Sequence, residues 1–155
     1  MGKYEQLLIK HNNLFIHETT KLPNKLSGLT VDDMILINQN KSESAKYETL
    51  AEEIAHHQIT YGDIRNQDNV LNKKLELKAR RHAYENVISL DDIINAFYFG
   101  VSNTYEMADF LEVSESYVNE VLNHYRNKYG LSVYHNKYLV KFEPLQVYKY
   151  IDKTE

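Results

Sequence analysis

Cysteine is absent from the 155-residue chain, which excludes disulfides, thiolate catalysis and cysteine-ligated zinc knuckles, and suits a reducing compartment. Tryptophan is absent too, so thirteen tyrosines must supply most of the large aromatic surface. No apolar run approaches the roughly 20 residues that cross a bilayer, and the opening MGKYEQLLIK has no signal-type apolar core. No membrane partner and a cytoplasmic location are therefore expected. A large excess of charge of one sign is also missing. The net charge of −4 gives no overall footprint for nucleic acid or anionic lipid. What remains, 43% hydrophobic and 26% charged residues, is ordinary for a globular chain able to bury one substantial core.

Hydrophobic spacing divides the chain into short elements. Lys3–Lys10 reads as an amphipathic helix with Tyr4, Leu7 and Leu8 on one side. Leu14–Glu18 and Met34–Asn38 are apolar runs too short for helices and read as strands. Between them, Leu22–Asp33 is rich in turn residues and contains Pro23. A helix follows from about Ala45 to Tyr61, with Ser42–Ser44 as its start signal and Gly62 as its stop. Tyr47, Leu50, Ile54 and Tyr61 form its apolar face. Asp63–Asn69 is a polar connection. Further helices are expected at Lys73–Ile88 and Leu90–Phe99, and a helical pair at Thr104–Tyr129. The tail changes period, and strands Leu131–Tyr134 and Tyr138–Phe142 suggest a hairpin about His135–Asn136–Lys137.

The segment KYETLAEEIAHH, Lys46–His57, carries the chemistry. In a zinc-peptidase helix, H-E-x-x-H sets two metal ligands one turn apart on one face, and the Glu beside the first reaches the activated water. In that register Glu52 takes the first ligand position, Glu53 the general-base position and His56 the second ligand position. The plain alternative is a solvated helix face with i,i+4 Glu–His contacts. A third ligand is expected from a following helix, and Glu76 in KLELKARRHAYENVIS is the candidate. Its own alternative is a surface charge paired with Lys73, Lys78 or Arg80.

Three segments resemble the ImmA/IrrE family of metallo-endopeptidases, in particular the small members found beside repressor genes in prophages. TLAEEIAHH (Thr49–His57) is similar to the family's T-L-A-H-E-x-G-H-H helix. ARRHAYENVIS (Ala79–Ser89) resembles A-x-x-F-A-x-x-L-x-x-P, with His82 at the aromatic position. MADFLEVSESYVNEVLNHY (Met107–Tyr125), with the hairpin and KFEP (Lys141–Pro144), resembles the family's helix-turn-helix-like region and tail. Glu52 stands where the family has its first histidine. The resemblance implies an α+β fold: a zincin-like helical core on a small sheet over residues 1–100, and a helix-turn-helix-like pair plus β-hairpin over 101–155, packed as one compact unit. It implies Zn as cofactor, held by Glu52, His56 and Glu76. The oxygen-rich set makes Mn an alternative. Glu53 is then the catalytic base, with His82 as an oxyanion donor and His57 as a neighbour or reserve of the ligands. The implied partner is a protein substrate, a phage-type repressor whose cleavage or inactivation controls lysogeny. The departure at Glu52 also leaves open a catalytically silent member that acts by binding alone.

A DNA reader needs cationic and amide side chains on its second helix. Ser114–Tyr125 carries Glu115 and Glu120 and no Lys or Arg. That sign repels phosphate, so the helical pair reads as a structural or protein-docking element.

Overall fold

A computed structural model describes residues 1–60 and 69–150, with the backbone alone at 60 and 69–72. The elements are helix α1 (Lys3–Lys10), strands β1 (Phe15–Thr19), β2 (Gly28–Val31) and β3 (Met34–Asn38), helices α2 (Glu43–Thr60), α3 (Asn69–Val87), α4 (Leu90–Tyr98), α5 (Thr104–Leu111) and α6 (Glu115–Tyr129), and strands β4 (Ser132–His135), β5 (Tyr138–Phe142) and β6 (Leu145–Lys149). The expected α+β class, with a helical core, small sheets and a C-terminal hairpin, is what the chain adopts. Chain contacts divide it into two compact units, residues 1–87 and 88–155, so α4 belongs to the second.

In the first unit the sheet runs β1-β3-β2, with β1 parallel and β2 antiparallel to the central strand. Strand alternation puts Ile35 and Ile37 of β3 on the buried face, as period-two geometry requires. Buried Leu50, Ala51, Ile54 and Ala55 of α2 complete that core. Strand β2 lies in a segment expected to be turn. Gly28 and the Asp32–Asp33 pair obscure it in sequence, and pairing with β3 creates it. Gly28 is needed for closeness rather than for its backbone angles. A Cβ there would stand 2.5 Å from Thr49 Cγ2 of α2 and 3.0 Å from the Leu36 carbonyl. The helix start falls to Ser42, whose Oγ accepts the Ala45 N–H at 3.2 Å, as an N-cap does. Tyr61 and Gly62 lie outside the described residues.

Three elements meet at Lys46. Its ammonium lies 2.9 Å from Glu18 Oε1 of β1 and 5.8 Å from the centre of the Tyr4 ring of α1. The Tyr4 hydroxyl donates to Glu18 at 3.3 Å. Buried Asn38 anchors the loop before β2, donating to the Leu26 carbonyl at 2.9 Å while its Oδ1 accepts the Asn40 N–H at 3.0 Å. Such complete pairing is what makes a buried amide tolerable.

In the second unit α4 opens with a full capping box: Ser89 Oγ accepts from Asp92 N–H and the Asp92 carboxylate accepts from Ser89 N–H. Gly100, at φ +98°, ends it in a conformation that side chains avoid. The expected helical pair is present, turning through Glu112 at φ 60° and capped by Ser114. Val118, Val121 and Leu122 face inwards. Tyr125, 1% exposed, donates to the Ile88 carbonyl at 2.6 Å. The expected hairpin turns through Asn136 and Lys137, both at positive φ, and gains a third strand, β6. Leu145–Lys149 becomes a strand through its pairing with β5.

Candidate functional site

Helix α2 divides its side chains by period. The buried set above lies in the core, while Glu52, Glu53, His56 and His57 occupy half-buried positions. Each motif carboxylate has a protein donor. Glu52 Oε1 lies 3.4 Å from Arg80 Nε of α3, with the side chains 43% and 53% exposed. Glu53 Oε2 accepts the Thr30 hydroxyl of β2 at 2.5 Å. Glu53 is thereby held against the edge strand of the sheet, and Glu52 against the neighbouring helix. His56 and His57 make contacts of their own.

The Glu52–Arg80 contact ties α2 to α3. It joins the C-terminal half of α2 to the middle of α3. Glu52 and His56 are one turn apart on α2, and Glu76 and Arg80 one turn apart on α3. Glu76 itself is exposed, as is His82 further along α3. Among the described residues no three His, Cys, Asp or Glu side chains converge tightly enough to hold a metal ion.

Sequence reading missed two participants. In the sequence Arg80 stands out only as one possible surface partner of Glu76, four residues before it, and not as a partner of Glu52. Thr30 gave none, because its strand was unread.

A family model described as the IrrE N-terminal-like domain, peptidase family M78, matches residues 10–123. The chain belongs to this family. No curated protein and no solved structure matches it significantly. M78 is a metallopeptidase family, and membership implies a metal cofactor. The donors fit one in kind only: two carboxylates and an imidazole are donor types that suit a divalent cation of intermediate to hard character. In the conformation seen here a guanidinium already neutralises one of those carboxylates. A metal drawing on Glu52 therefore competes with Arg80. No helix among the described residues is long and apolar enough to cross a membrane.

Proposed function

We propose that this M78 protein is a metal-dependent endopeptidase that cleaves, and so inactivates, a transcriptional repressor of a prophage or mobile element. The observation that carries the reading is the placement of Glu53. It follows Glu52, a proposed ligand, and its carboxylate accepts the Thr30 hydroxyl of strand β2. An edge strand offers free backbone groups to an extended substrate, and β2 is such an edge.

Glu52, His56 and Glu76 would hold zinc, or manganese given the two carboxylates. The ion would supply Lewis-acid polarisation of the scissile carbonyl and acidify the attacking water. Glu53 accepts the proton of that water and returns it to the departing amine nitrogen. His82 and His57 are the side chains proposed to steady the oxyanion or the ligands. The repressor as substrate rests on the family resemblance, and the acidic helical pair argues for a protein partner over DNA.

The Glu52–Arg80 pair favours a second reading, a silent family member that sequesters the repressor by contact. Glu53→Gln separates the two. Co-expression with the neighbouring repressor should yield discrete fragments that vanish in this variant. Repressor that stays intact yet is still inactivated, with wild type and variant alike, would establish the binding module instead.

A further inference from the structure

The second unit exposes rings that its own core does not use. Leu90, Ile93 and Ala96 of α4 are buried, yet Tyr98 and Phe99 at its end are 78% and 65% exposed. Phe110 of α5 is 39% exposed. The three rings form one cluster. Phe99 stacks on Phe110 with centroids 6.1 Å apart and planes at 28°, and Tyr98 stands edge-on to Phe99 at 5.4 Å and 88°. Single exposed apolar side chains are ordinary, but a contiguous aromatic group in mutual contact is a mark of an interaction surface.

Tyr98 is also a wall of an open recess of about 540 Å³, shared with Asp91, Asp92, Ile94, Asn95 and Tyr138. Its carboxylates are fixed in place. Asp91 Oδ1 accepts from Asn136 Nδ2 at 2.8 Å and lies 3.1 Å from His135 Nε2, and Asp92 is set by the cap of α4. No Lys or Arg occurs in the sequence between Arg81 and Arg126; on the strand side the recess is bordered by His135, 3.1 Å from Asp91, and by Lys137 and Lys149, the chain neighbour and the strand partner of Tyr138. Apolar rings beside fixed carboxylates and tyrosine faces complement one kind of ligand: a cationic side chain next to an apolar one. The same charge repels phosphate and anionic lipid.

We propose that the Tyr98–Phe99–Phe110 cluster and the adjoining Asp91–Asp92 recess form a docking site for a basic, apolar-anchored segment of a partner protein. An Arg or Lys side chain enters the recess between the carboxylates and the Tyr98 and Tyr138 rings. A neighbouring Leu or Phe lies on the Phe99–Phe110 stack. The site needs no chemistry from α2, so it stands whether or not the chain cleaves what it binds.

The test is fluorescence anisotropy of the full chain with a short labelled peptide alternating Arg and Leu, beside counterparts with Glu for Arg and Ser for Leu. The Arg–Leu peptide should bind, and more weakly as salt rises. Tyr98→Ser with Phe99→Ser should weaken it roughly tenfold with little change in thermal unfolding, since both rings are largely exposed, and Asp91→Asn should weaken it several-fold. Equal binding to wild type and variants, or equal binding of all three peptides, would overturn the proposal. So would self-association of the chain through this face, seen by sedimentation and abolished by the same substitutions.

Discussion

Arg80 Nε of α3 lies 3.4 Å from Glu52 Oε1 of α2, so the residue standing at the first ligand position of the motif is tied to a cation from the facing helix. A half-exposed pair of this kind contributes about 0.2–1 kcal/mol. That is enough to compete with a metal and too little to exclude one. Arg80→Gln should therefore tighten zinc binding by a factor of roughly two to five and cost little stability. Competition against a fluorescent zinc chelator measures this. Unchanged or weaker binding in the variant would mean that Glu52 is not a ligand.

Glu53→Gln should lower repressor cleavage by about 10²–10⁴-fold, the range for loss of a general base. Metal content and folding should stay as in wild type. Thr30→Val, which removes only the donor to Glu53, should give a smaller loss of the same kind. Rates from gel densitometry decide it, and a Thr30→Val loss equal to that of Glu53→Gln would assign the effect to Thr30 rather than to proton transfer.

Gly28→Ala tests the contact between sheet and motif helix. The added methyl meets Thr49 and the Leu36 carbonyl, and overpacking of this kind costs about 1–3 kcal/mol. Chemical denaturation should show that loss. Cleavage should fall as well, because β2 carries Thr30 away from Glu53 as it shifts. Combining Gly28→Ala with Thr49→Ser, which clears the methyl nearest the new Cβ, should restore part of both.

Stability should decline at alkaline pH through Tyr4. Burial, followed by the charge and hydrogen bond of Glu18, raises its pKa above the ordinary 10.0. The folded state thus keeps the phenol protonated where the unfolded chain loses the proton. This contribution is complete below pH 10 and disappears as pH rises beyond it. Denaturation midpoints from pH 8 to 11 should fall more steeply in wild type than in Tyr4→Phe. Parallel curves would remove Tyr4 as the cause.

Much of this was legible in the residues, and the misses share a physical origin. Long periodic helices with clear caps, such as the one Ser114 opens, are specified locally. Met34–Asn38 was legible because a central strand is a short apolar run. Gly28–Val31 and Leu145–Lys149 were not, since each becomes a strand only by pairing with a neighbour that sequence does not reveal. The carboxylates Glu52 and Glu53 stand out in the sequence by their register with His56. Their partners Thr30 and Arg80 do not, because those contacts depend on tertiary placement of an edge strand and a second helix.

Elemental analysis of metal bound to the purified chain, after loading with zinc or manganese, tests the central claim most directly. Near-stoichiometric metal is expected in wild type and in Glu53→Gln, and its loss in Glu52→Ala and in His56→Ala. A wild-type chain that retains no metal after loading, while folded and able to bind the repressor, would contradict it.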